Sequence, residues 1–134
     1  MKTIIKRILF TATMMVSFLY LGTIKAKAQS NVTHYYYAYT LLENNKVGFT
    51  PVVSSTVSKY TTLASCELAL KRYMMDYIPA YTNYRAESGN SSYLSDGGDS
   101  RSAATESRSS EMTRLKNLGY EVVYFNTIDY RYSE

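Results

Sequence analysis

From residue 33 onward, large apolar and aromatic side chains recur first at every second position and later at every third or fourth. The two rhythms divide the chain into strand and helix segments. Thr33–Glu43 reads Thr-His-Tyr-Tyr-Tyr-Ala-Tyr-Thr-Leu-Leu-Glu, rich in types that suit a pleated surface. Alternation places Tyr35, Tyr37, Tyr39 and Leu41 on one face and Tyr36, Ala38, Thr40 and Leu42 on the other. Glu43-Asn44-Asn45-Lys46 predicts a hairpin turn, because Asn tolerates the positive φ that tight turns need. Val47–Val53 is the return strand. Pro51 has no N–H for a ladder, so that strand is broken there or lies at an edge.

The period then lengthens. Leu63, Cys66, Leu70, Tyr73, Met74 and Tyr77 form one apolar stripe of a helix that Thr61 or Thr62 can cap, with Glu67 and Lys71 paired on its flank. Pro79 is expected to end this helix near Ile78. Residues 86–109 carry many Ser and Gly and only two large apolar side chains, Tyr93 and Leu94. So little burial does not offset the entropy of ordering the chain, which predicts a mobile loop. A second helix starts between Ser102 and Ser110, carries Met112, Leu115 and Leu118 on one stripe, and stops at Gly119. Tyr120–Phe125 follows as a strand apolar on both faces, as expected at the centre of a sheet. The order β-β-α-loop-α-β predicts an α+β fold, a small antiparallel sheet with two helices packed on one face.

The first 28 residues follow a different pattern. Lys2, Lys6 and Arg7 precede an uncharged, mostly apolar run from Ile8 to Ile24. Lys25-Ala26-Lys27-Ala28 then places small residues at the third and first positions before a cut ahead of Gln29. This is the layout of a cleaved secretory signal. The competing expectation is an uncleaved anchor, but the run is shorter than the span of a bilayer and is diluted by Thr, Ser and Gly. The expected mature part is a single domain over residues 29–134, exported from a bacterium to the periplasm or beyond, with membrane contact only during transit.

The signal also changes the charge argument. The whole chain is formally +4, whereas residues 29–134 hold ten cations against eleven anions. That balance argues against a nucleic-acid partner. One Cys, one His and no Trp exclude a disulfide framework and the common zinc sites. Asp96-Gly97-Gly98-Asp99 offers too few carboxylates for a calcium loop. Neither a metal nor a cofactor is expected.

Tyrosine is the compositional excess, with 15 in the chain. Each pairs a flat apolar ring with a hydroxyl, a combination useful at wet binding surfaces. Tyr35, Tyr36, Tyr37 and Tyr39 on the first strand are candidate binding residues. So are Tyr81 and Tyr84, which continue the helical spacing of Tyr73 and Tyr77. His34 is the one imidazole that a minimal hydrolase could use, although no nucleophile motif accompanies it. Cys66, on the apolar stripe, reads as a buried and inert thiol. The expected function is a small exported, non-catalytic binding domain for a protein, peptide or glycan. The alternatives are an accessory or inhibitor domain acting through residues 86–109, and the hydrolase using His34.

Overall fold

The computed structural model describes residues 30–88 and 93–133; the expected signal at 1–28 lies outside the described residues. The chain folds as β1 (Asn31–Leu42), β2 (Lys46–Phe49), β3 (Val53–Ser58), α1 (Leu63–Tyr81), β4 (Tyr93–Gly98), α2 (Arg101–Asn117) and β5 (Glu121–Tyr124). This is an α+β fold of two helices and a five-strand sheet that is antiparallel except for one pair.

The long, aromatic β1 is the spine of the sheet. Asn44 and Asn45 both adopt positive φ, as the turn chemistry predicts, and return the chain as β2 with Tyr39 opposite Phe49. The return strand breaks at Pro51 and resumes as β3, which pairs with residues 31–36 of β1. Thr50 bridges the break: its N–H donates to the Ala38 carbonyl and its hydroxyl accepts from the Ala38 N–H, both at 2.9 Å. A side chain thus supplies a ladder bond that the irregular backbone there would omit.

Of the segment expected to be a mobile loop, residues 89–92 lie outside the described residues, and from residue 93 onward it is ordered. Residues 93–98 form β4 on the opposite edge of β1, with Tyr36 opposite Gly97 and Tyr39 opposite Leu94. Ser100 caps α2, accepting from the Ala103 N–H at 3.2 Å, so the helix starts earlier than its apolar stripe suggests. The expectation failed because it left out a ladder with a distant strand. Here the backbone bonds to β1 and within α2 supply much of the order, and the glycines let a helix lie close. A Cβ on Gly98 would sit 3.0 Å from Ala103 Cβ.

The helices lie on opposite faces of β1, not on one. Tyr36, Ala38 and Leu42 pack with Cys66, Leu70, Met74 and Ile78 of α1. Tyr37 and Tyr39 pack with Val47, Phe49 and Leu115 of α2. Both faces of β1 are apolar, so each needs a cover; the central place expected for the last strand belongs to β1 instead. β5 instead lies at the edge of the sheet, parallel to β2. Its inner positions, Val122 and Val123, contribute to the two separate cores.

Two further expectations change. Pro79 lies inside α1, whose last carbonyl bonds run from the Thr82 N–H and hydroxyl to the Ile78 carbonyl. Those bonds carry the chain through the last turn despite the missing proline donor. Leu118 is 63% exposed, because Gly119 at φ 94° turns the chain out of the helix just after it.

Candidate functional site

The strand tyrosines prove to be core. Tyr36 and Tyr37 have no exposed surface and Tyr39 is nearly buried. With a helix on each face of β1, alternate rings point into two interiors. Tyr37, Tyr39 and Phe49 stack nearly parallel, the Tyr39–Phe49 centroids 5.1 Å apart. Only Tyr35 is half-buried, with the Arg101 guanidinium 5.5 Å above its ring.

The hydroxyl of each of these three tyrosines is hydrogen-bonded. Tyr36 shares a 2.6 Å hydrogen bond with the Ser55 hydroxyl. Tyr37 meets Ser107 at 3.1 Å, and Ser107 donates to Asp96 at 2.6 Å. Tyr39 donates to Glu111 at 2.8 Å, and Arg114 holds the same carboxylate. Burial pushes the Tyr37 phenol up to about 12, helped by the charges of Asp96 and Glu111, and pushes Tyr39 in the same direction. These phenols stay neutral donors and acceptors that fix β1 against α2 and β3. A binding surface made from Tyr36, Tyr37 and Tyr39 is therefore excluded on geometric grounds.

The other two candidates are in the open. Tyr81 is 77% exposed and Tyr84 36%. The helical i,i+4 spacing brings Tyr73, Tyr77 and Tyr81 over one another. Adjacent centroids are 5.7 and 5.5 Å apart, with ring planes within 30°. Phe125, next after β5, stands edge-on to both Tyr77 and Tyr84 at 6.1 and 6.3 Å. Phe125 is itself pressed onto Gly48 of β2. Tyr81 is thus backed by half-buried Tyr77 and Tyr84 by buried Phe125, contacts that limit their rotamers and lower the entropy lost on contact with a ligand. Beside them, Ile78, Pro79, Thr82, Tyr84, Arg85 and Tyr93 line a cleft of about 650 Å³. Arg85 and Glu87 are held by main-chain bonds to the end of β1, Glu43 N–H to the Arg85 carbonyl and Glu87 N–H to the Leu41 carbonyl. The cleft wall is therefore tied to the sheet.

The spacing of the helical tyrosines was visible in the sequence; the contribution of Phe125 was not, because it arrives from a residue more than 40 positions away. His34 is half-buried, and its Nε2 donates to the Thr61 carbonyl at 2.9 Å. That bond ties β1 to the entry of α1 and uses the ring nitrogen as a structural donor. Ser55, opposite His34 across the strands, is turned to Tyr36 instead. Burial raises the Glu67 carboxyl, as does the nearby Asp96, while His34 partly offsets this. Cys66 is buried in the α1 core. Asp96 is occupied with Ser107 and the Gly97 N–H. Among the described residues, no group of three or more His, Cys, Asp or Glu is placed to hold a metal ion.

No family profile, curated protein or solved structure matches the chain.

Proposed function

We propose that this protein is a small exported, non-catalytic binding domain that holds a protein, peptide or glycan on the Tyr81–Tyr84 surface at the end of α1. One observation carries the reading: exposed Tyr81 stacks on half-buried Tyr77, and Tyr84 stands edge-on to buried Phe125, beside a cleft. Exposed rings scattered singly need no explanation, whereas a braced row at a cleft presents flat apolar area together with hydroxyls. The neighbouring Asn83 and Arg85 add exposed polar groups at the rim, and Arg85 can serve either a carboxylate or a hydroxyl-rich ligand. Export to the periplasm or beyond follows from the signal-like first 28 residues, and the near balance of charge in the rest disfavours nucleic acid.

The test is a paired screen on immobilised peptides and glycans, using the parent chain and a Tyr81→Ser, Tyr84→Ser variant. Tyr81 is largely exposed but Tyr84 packs on Phe125, so thermal melts first establish that the variant is folded at the assay temperature. Binding seen with the parent and reduced at least tenfold in the variant supports the reading. Binding that survives both substitutions, or none on either array, refutes it.

A further inference from the structure

After β5 the chain crosses the α1 side of the sheet without forming a strand or helix. Ile128, Tyr130 and Tyr132 pack against the α1 core, whereas the side chains of Asp129 and Arg131 between them are 94% and 92% exposed. Inward and outward positions alternate as in a β-strand. Yet the main-chain bonds joining this part of the chain to the sheet end with the Phe125 N–H on the Phe49 carbonyl; among the described residues no main-chain to main-chain bond runs from 126–133, and the Asp129 backbone bonds instead to the Tyr73 hydroxyl of α1. The segment is held by its side chains and by that bond to α1, not by a ladder. The Tyr130 ring stands edge-on to Tyr73 of α1 at 5.3 Å and to Tyr36 of β1 at 6.3 Å, and its hydroxyl is 3.5 Å from that of Tyr36.

We propose that the surface beneath residues 126–133 is a peptide-binding groove. Its ligand class is an extended partner segment with apolar or aromatic residues at alternate positions, tyrosine in the middle one, and the chain's own segment occupies the groove in cis. Two properties set this segment apart from ordinary core. Side-chain sockets at alternate positions are how grooves read extended peptides, and a segment without ladder bonds can leave without breaking the sheet. The socket for the middle residue is also built on both sides, by the Tyr73 ring of α1 and by the Tyr36 and Ser55 hydroxyls, themselves 2.6 Å apart at its base. An aromatic ring with a polar tip fits it better than an aliphatic side chain. Asp129 and Arg131 point to solvent, so the positions between are free to vary in a partner. This groove does not depend on the Tyr81–Tyr84 surface.

The probe is a fluorescein-labelled peptide, Asn-Thr-Ile-Asp-Tyr-Arg-Tyr-Ser, copied from residues 126–133. Its binding to the full chain is followed by fluorescence anisotropy. A tethered segment competes at an effective concentration in roughly the millimolar range, so the parent chain binds the probe weakly. Tyr130→Ser with Tyr132→Ser loosens the segment and strengthens probe binding at least tenfold. Adding Tyr73→Ala to that pair abolishes the gain, whereas Tyr81→Ser leaves it intact. Tyr132→Ser alone gives a smaller gain and serves if the pair lowers folding too far. The proposal fails if the folded variants bind the probe no better than the parent, or if a scrambled peptide with adjacent Ile and Tyr binds equally. It also fails if the variants form concentration-dependent dimers in place of binding the probe, since the groove then serves a second copy.

Discussion

Gly48 gives the sharpest test of how the two halves of the structure support each other. A Cβ at this position would lie 2.0 Å from Phe125 Cε2 and 2.2 Å from Cζ. Ordinary contact begins at 3.4 Å, so Gly48→Ala forces the ring back by roughly 1.4 Å. The backbone there has little freedom to yield, because Gly48 is paired on one side to Thr40 and on the other to Val123. The ring is 4% exposed and boxed by Tyr77 and Tyr84. Overpacking of a filled core costs about 1–3 kcal/mol, and at about 2 kcal/mol a domain of this size loses roughly 8–16 °C of Tm. Circular dichroism melts of the parent and Gly48→Ala measure the loss. Phe125→Leu makes room, so the double variant melts higher than the sum of the two single effects allows, by a coupling of about 0.5–3 kcal/mol. A Gly48→Ala protein that melts within about 1 °C of the parent refutes the reasoning. So does strict additivity with Phe125→Leu.

Other outcomes follow from the caps and the carboxylates. Thr62→Ala removes the hydroxyl that accepts from the Ser65 N–H at 3.2 Å, and thermal melting should show a loss of about 1 kcal/mol. Glu67 has a folded-state pKa above its ordinary 4.5, raised chiefly by burial, so its charged form opposes folding. Glu67→Gln therefore raises Tm at neutral pH, and the gain disappears in melts run below pH 4.5. Glu111 behaves oppositely. The Arg114 hydrogen bond, with help from Tyr39, holds its carboxyl below the ordinary value. Its contribution is present above that value and is lost as pH falls through the depressed one, so Glu111→Gln lowers Tm at neutral pH and less in acid.

The hairpin and α1 were legible because their signals are local. Asn44 and Asn45 fit positive φ, Pro51 breaks a ladder, Thr62 caps a helix, and Leu63 to Tyr77 repeat at its period. Local chemistry of this kind acts before any distant contact forms. The spacing of Tyr73, Tyr77 and Tyr81 along α1 was legible for the same reason, but not that Tyr81 and Tyr84 stay exposed. The strand tyrosines show the limit of such reasoning. Alternation placed them correctly on two faces, but whether a face meets solvent or a helix is a property of the partner element. Here Ser107 and Glu111, some seventy residues away, reach the hydroxyls of Tyr37 and Tyr39 and turn a surface candidate into core.

Composition also misjudged residues 86–109. A Ser- and Gly-rich stretch is weak alone, yet beside β1 it gains a ladder, and from Ser100 onward it gains helix bonds. The amino-acid order by itself determined the turn, the break and the apolar stripe of α1, because those depend on neighbours in sequence. Tertiary structure alone decided which face each helix covers, that β5 pairs parallel at an edge, and which tyrosines stay at the surface. Those outcomes depend on long-range pairing, where burial is a relation between segments and no single segment carries it.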